Sequence, residues 1–273
     1  MQDRTDRTGS TNGADAEALA RLLGARFSCR AFLPDPVPHE TIQRILDLAQ
    51  RTASWNNVQP WSVIVTEGAG TERLRRGLLA HVEGSPRPHP DFAFPREYRE
   101  PYLARRRECG FALYDAVGVA RGDKAAYARQ TRENFRFFGA PHVALISTDE
   151  ALGTYGAVDC GAYVGNFMLA AQSLGVASIA QAALANYSPF LRAHFGLADE
   201  LRVVCGISFG YADAAHNANS YRTTRIDPRE TVRFVDAGDR SQLRRESHGS
   251  DLHADGRPRR EGASLVGRRT PRP

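Results

Sequence analysis

The chain has 273 residues, 42% of them hydrophobic and 25% charged, which is the balance of a globular protein with room for one large domain or two small ones. No run of eighteen or more apolar residues occurs, which excludes a transmembrane helix, and the polar start MQDRTDRTGSTNG lacks the apolar stretch of a secretory signal, so cytoplasmic residence is expected. The net charge is +5, but nine arginines against five acids fall within residues 237–273, so the body is near neutral and its charge does not point to a nucleic-acid partner.

Residues 1–13 read as a disordered tail. From Ala14 to Gly24, Leu19, Leu22 and Leu23 share one face of a short helix with Gly24 as its stop. The three prolines of RFSCRAFLPDPVP impose an extended course. His39 to Arg51 then carries Ile42, Ile45, Leu46 and Ala49 at helical spacing, with Glu40 in the first turn where the helix dipole favours a carboxylate. WSVIVTE is a buried strand, Thr71 to His81 a helix, and Glu83 to Pro101, with its prolines and aromatics, an irregular excursion.

Tyr102 to Ala120 and Asp123 to Phe137 read as arginine-decorated helices, and HVALIS as a second strand. Tyr155 to Leu174 is a helix apolar on nearly every side, so it must be buried, either in the core or against another subunit. VASIAQA and LRVVCGISFG add two strands around a helical Ser188 to His194, and TVRFV at 231–235 is a candidate last strand. One α+β domain over residues 14–236, followed by a disordered Arg-rich tail over 237–273, is the expected organisation.

Familiar chemical signatures are missing from the sequence. GAGTER lacks the third glycine of a dinucleotide fingerprint, no phosphate-loop motif or GxSxG elbow occurs, and Lys124 is the only lysine. His81, Glu83 and His89 match no metal-ligand spacing, so no metal is expected and these histidines read as solvated loop residues. Cys29, Cys109, Cys160 and Cys205 show no CxxC spacing and read as small buried hydrophobes.

What remains is arginines and amides at element ends. In RFSCR an extended backbone turns Arg26, Ser28 and Arg30 to one side, a geometry suited to an anion. NSYRTTR adds Asn219, Arg222 and Arg225, and RTASWNNVQPW offers Ser54, Asn57 and Gln59, which can hydrogen-bond a heteroaromatic edge. Singly, each cluster has a plainer reading: a solvated face for the arginines, and a capped helix end with two core tryptophans for SWNNVQPW. Together, phosphate-binding arginines and ring-binding amides suggest a mononucleotide-like cofactor.

Those residues carry a family resemblance. RFSCRAFLPDPVPHETIQRILDLAQRTASWNNVQPWSVIV resembles the opening of the FMN-dependent nitroreductase family, and NFRFFGAPHVALIS, DCGAYVGNFMLAAQSLGVASIAQAAL, RVVCGISFGYAD and NSYRTTR resemble later blocks of its nitrobenzoate-reductase-like branch. The resemblance implies an α+β nitroreductase-like fold, a central mixed β-sheet flanked by helices in an intertwined homodimer with FMN at the interface. It assigns Arg26, Ser28 and Arg30 to the flavin phosphate and ring edge, with Phe27 contributing backbone only and Arg222 and Arg225 closing on the phosphate. Ser54, Asn57 and Gln59 reach the same flavin from the partner, and the tryptophans pack behind them. Ala180, Gln181 and Ala182 supply the strand-end loop beside the flavin N5 edge, with Ala180 standing where many relatives have proline.

The implied activity is ping-pong: NADH or NADPH gives a hydride to the flavin, then a nitroaromatic or quinone-type acceptor is reduced in the same space. No side chain is then an obligate acid or base. The excursion Glu83 to Ala120 is a lid whose Arg105, Arg106 and Arg107 are either a solvated face or attractors of anionic aromatics. The same fold hosts dehydrogenation, dehalogenation and flavin fragmentation, and a non-catalytic flavin- or polyanion-binding protein is the rival outside enzymes.

Overall fold

The computed structural model describes residues 13–235; the tails expected at 1–13 and 237–273, and the polyanion-binding reading of the second, lie outside the described residues except for Gly13, which begins the first helix. Among the described residues seven α-helices and four strands alternate irregularly: α1 (Gly13–Ala25), α2 (His39–Ala49), β1 (Ser62–Thr66), α3 (Ala69–Glu83), α4 (Tyr102–Ala116), α5 (Lys124–Arg132), β2 (His142–Asp149), α6 (Gly153–Ser173), β3 (Ala177–Gln181), α7 (Ser188–Phe195) and β4 (Leu201–Gly210). A first compact unit ends at Thr223 and a second begins at Thr224.

The sheet runs β1-β2-β4-β3, every pair antiparallel. Its expected mixed character enters only through one parallel bridge, Ser28 to Ser178. β2 is buried on both sides, and its alternation shows why: Ala144 and Ile146 face one core, Val143 and Leu145 the other. The first core takes α2 and α6, and the second takes Leu74 and Leu78 of α3 with Leu191 of α7. A Cβ on Gly206 of β4 would lie 2.5 Å from Leu184 Cδ1, so any larger residue there requires the buried Leu184 side chain to shift.

α6 buries Gly156, Cys160, Tyr163, Val164, Phe167, Ala170 and Ala171, a stripe at helical spacing. The apolar residues between these, Tyr155 and Val158, remain exposed, as do Leu19 and Leu23 of α1, which packs against α6. Within one chain the helix is therefore covered on one side only.

Several expectations need correction. Thr231–Val235 forms no strand; a β-branched run needs a pairing edge, and the described part of its own unit offers none. His81 lies on α3 and is half-buried, stacked on Phe190 at 5.0 Å with Tyr187 edge-on. Trp61 is in the core, stacked on Tyr163 at 4.9 Å, but Trp55 is 57% exposed. Cys29, Cys160 and Cys205 are buried, their thiols pushed by burial to about 11, about 11 and about 12, whereas Cys109 is only half-buried.

The excursion after α3 has no regular element until α4, yet it is tied down at its base. His89 N–H donates to Asn186 O at 2.7 Å, and the Asp91 carboxylate accepts from Arg192 Nη2 at 3.0 and 3.1 Å and from Val203 N–H at 2.7 Å. α4 buries none of its residues fully; it leans on α5 through Tyr114 and Tyr127, 4.6 Å apart.

Candidate active site

Ser28 bridges to Ser178 on β3, and Cys29 N–H donates to Ser178 O at 3.2 Å, so the segment RFSCR lies along the outer edge of the sheet. Cys29 turns into the core while Arg26, Ser28 and Arg30 stay partly exposed. The Arg30 guanidinium is aimed by two acceptors, Ser28 O at 3.2 Å and Tyr221 Oη at 3.0 Å. Burial pushes the Tyr221 phenol above its ordinary value, against the opposing pull of Arg30, so it stays protonated. The Arg26 guanidinium has no hydrogen-bond or ion-pair partner among the described residues.

The segment after β4 returns to this edge. Asn219, predicted as part of an anion site, is instead a buried staple: its Oδ1 accepts from Arg30 N–H at 2.8 Å and its Nδ2 donates to Ala31 O and Asp213 O. That staple sets Arg222, whose guanidinium lies 3.9 Å from the centre of the Phe27 ring and donates to Asn219 O and Tyr221 O. Phe27 thus does more than lend its backbone, since its ring is the platform for Arg222. Arg225 falls in the second unit.

Beyond Ser178, Ala180 and Ala182 are exposed while Gln181 is buried, 2% exposed. The Ser178 Oγ, also buried, has no hydrogen-bond partner in the described structure. The Arg30 and Arg222 guanidiniums, both bonded to Tyr221, and Ser28, bridged to Ser178 with its orphaned hydroxyl, thus flank one sheet edge, with Arg26 two residues earlier on the same segment and a cavity of about 610 Å³ lined by Arg30, Phe32, Arg129, Phe138, Asp213 and His216 among others.

Ser54, Asn57 and Gln59 form a separate group. Gln59 N–H donates to Ser54 Oγ at 2.9 Å, Gln59 Nε2 to Asn57 O at 3.1 Å, and Gln50 Nε2 to Gln59 Oε1 at 3.0 Å. Asn56, Asn57 and Gln59 all have left-handed backbone, with φ of 47°, 57° and 49°. Such strain needs anchoring, and the neighbouring helix supplies it. Asp159 of α6 accepts from Trp55 N–H at 3.0 Å, and Asn166, two turns on, donates to Thr52 Oγ1 at 2.8 Å. The Gln59 amide is consumed in shaping this loop; the Asn57 amide has no partner among the described residues.

Tyr221, Asn134 and Ser208 escaped the sequence reading. Tyr221 stands inside NSYRTTR between the residues that were singled out, so its place was a clue. Asn134 and Ser208 carry no local signal, because the fold alone brings them to Gln181, whose Nε2 donates to Asn134 O at 2.9 Å and whose Oε1 accepts from Ser208 Oγ. Arg105 and Arg106 lie over the rings of Tyr102 and Tyr98, at 5.8 and 5.0 Å, on a helix face without a buried residue.

The chain belongs to the Nitroreductase family, which it matches over residues 23–211. Among curated relatives it is 38% identical over 221 residues to nitroreductase NfnB of Mycolicibacterium smegmatis, covering 80% of this chain and 93% of that protein. It is 32% identical over 204 residues to 4-nitrobenzoate reductase of Pseudomonas putida, covering 75% and 89%.

Among solved structures, the FMN-dependent nitroreductase NfnB from Mycobacterium smegmatis in complex with NADPH superposes with a TM-score of 0.77 at 37% identity, covering 81% of this chain and 99% of that one. The FMN and NADPH-dependent NfnB from a Sphigopyxis strain does so with 0.76 at 31% identity, covering 80% and 99%. Arg222 lies beyond the family match, so its place rests on the Phe27 stack and the Asn219 staple.

Proposed function

We propose that the protein is an FMN-dependent oxidoreductase that uses a reduced nicotinamide nucleotide, NADPH as in the two solved relatives, to reduce nitroaromatic acceptors. The observation that carries this reading is the sheet edge at Ser178, bridged by Ser28 and flanked by the Arg30 and Arg222 guanidiniums that both bond Tyr221, in a chain 37% identical to an FMN-dependent, NADPH-complexed enzyme. The residues fit the cofactor. Guanidinium forks and a hydroxyl suit a phosphate, the orphaned Ser178 Oγ lacks a partner a polar ligand can supply, and outward backbone groups at 180–182 suit the polar edge of a ring. When bound, FMN supplies the two-electron chemistry that no side chain can.

The chain's own part is to bind, orient and shield. Arg26, Arg30 and Arg222 hold the phosphate end, Arg30 kept on target by Tyr221 and Arg222 by the Phe27 ring. None of these groups is a carboxylate or an imidazole, so no dedicated acid or base is assigned and protons come from solvent.

The protein acts as a homodimer in this reading. Tyr155, Val158, Leu19, Leu23, Trp55 and Val58 are large apolar side chains left exposed on or beside α6 in one chain. A second copy is the partner that covers them. Asn57, held out by a strained and anchored loop, then serves the flavin of the other subunit, with Ser54 and Gln59 shaping the loop. Among the described residues no helix is long and apolar enough to cross a membrane, and the proposed location is the cytoplasm. The test is to denature purified protein and identify the released flavin. One FMN per chain, with light scattering at twice the 30.0 kDa chain mass, is expected. A monomer that takes up no FMN contradicts both parts.

A further inference from the structure

β3 is one of the two edge strands of the described sheet, and its free side is covered only at the Ser28 to Ser178 bridge. Cys29 N–H reaches Ser178 O, and beyond the Ser28 to Ser178 bridge no further pairing with β3 follows among the described residues, the opposite side of the segment being held by Arg30 N–H on Asn219 Oδ1. Backbone groups along a strand alternate between its two edges. Ser178 turns its carbonyl outward, so Ala180 turns its carbonyl the same way, onto an edge that no described strand covers, and the strand gives way to a 3₁₀ turn at Ala182. A strand end with one uncovered edge is loosely specified unless something else fixes it.

Gln181 is that fixture. Its side chain leaves on the opposite face, and both ends of its amide are used: Nε2 donates to Asn134 O at 2.9 Å and to Asn134 Oδ1 at 3.3 Å, while Oε1 accepts from Ser208 Oγ. The orientation is unambiguous because the backbone carbonyl of Asn134 can only accept. Ser208 sits on β4 next to β3, and Asn134 opens the turn after α5. That turn contains two buried residues with left-handed backbone, Phe137 at φ 59° and Phe138 at φ 53°. Each such residue costs about 1–3 kcal/mol and persists only where its surroundings over-determine it. The bond from Gln181 and the one from Phe32 N–H to Phe138 O, 3.1 Å, do so.

We propose that the Gln181 side chain is a positioning residue for the flavin: it joins β4, the strained turn at 134–139 and the end of β3, and so fixes the direction in which the backbone groups of residues 180–182 meet the ring. The inference rests on the reading of that edge as flavin-facing. It assigns to Gln181 a role through its amide on the side away from the cofactor.

The test compares Gln181→Met, which keeps side-chain length but makes none of the three hydrogen bonds, with Thr71→Val, which removes the buried Thr71 to Thr66 hydrogen bond of 2.9 Å elsewhere. FMN titration of the apoproteins and the visible spectrum of the bound flavin are the readouts. Gln181→Met is expected to bind FMN at least tenfold more weakly and to shift the flavin bands, while Thr71→Val lowers the melting temperature and leaves both unchanged. Wild-type affinity and spectrum in Gln181→Met overturn the proposal, as does an equal loss in Thr71→Val. If Gln181→Met does not fold, Ser208→Ala carries the same expectation at about threefold, and wild-type behaviour there overturns it. Wild-type protein that binds no FMN refutes the flavin reading itself, an outcome visible without any variant.

Discussion

Replacing Asp91 with alanine should destabilise the protein by about 3 kcal/mol. The carboxylate is 9% exposed and its partner Arg192 19%, so solvent screens the pair weakly. Breaking a buried pair costs roughly 3–5 kcal/mol because the surviving charge is stranded. Here Arg192 keeps Ala198 O and Leu201 O through Nη1, which places the loss of the ion pair near or below the low end. The orphaned Val203 N–H adds about 1 kcal/mol or more. For a chain of this size, 3 kcal/mol corresponds to a fall of about 6–12 °C in melting temperature. Asp91→Asn retains an acceptor for Val203 and should lose about half as much. Thermal unfolding followed by circular dichroism measures both. A fall under about 1 kcal/mol in Asp91→Ala would show that the excursion at 84–101 is not pinned by this residue, and would return it to the status of a loose lid.

Arg222→Ala should weaken FMN binding ten- to hundredfold, the size of one lost charge-assisted hydrogen bond of about 1.5–3 kcal/mol, while the melting temperature of the apoprotein moves little; unchanged affinity would detach this arginine from the site. His142 is buried and neutral, with Nε2 accepting from Val37 N–H at 2.9 Å and Nδ1 paired with Thr66 O at 3.2 Å. Burial holds its pKa below 6.5, and burial together with Arg73 does the same for His194. The unfolded chain therefore binds more protons than the folded one below about pH 6.5, so stability should hold above that pH and fall as pH drops toward the depressed values, by up to ~1.4 kcal/mol per unit for buried His142 and by less for the solvent-screened His194. Denaturant midpoints at pH 5.5 and 7.5 check the sign. Ellman's reagent should titrate at most one thiol quickly in the native protein, Cys109, and all four after denaturation; a second fast thiol would contradict the burial of Cys29, Cys160 and Cys205.

Much of the fold was legible because burial imposes a period on the chain. The 3.6-residue spacing of Ile42, Ile45 and Ala49 and the two-sided apolar runs of β2 and β4 place those elements within a few residues. What failed was decided by partners distant in sequence. TVRFV has the composition of a strand but pairs with no strand among the described residues, Trp55 has the composition of a core residue but lies against Tyr155 on the surface at 4.7 Å, and Asn219 looked like a ligand group but is used up as a staple. The arginine strip was suggested by alternation in RFSCR, since an extended backbone converts spacing into direction. The Asn134–Gln181–Ser208 joint could not be foreseen, because its three residues come from three separate elements.

The measurement that bears most directly on the account is an anaerobic spectral cycle of the purified, FMN-loaded protein. NADPH should bleach the flavin band near its oxidised maximum, and 4-nitrobenzoate added afterwards should restore it with consumption of the nitro compound. A protein that stays colourless with added FMN, or a flavin that NADPH does not bleach, would contradict the central claim.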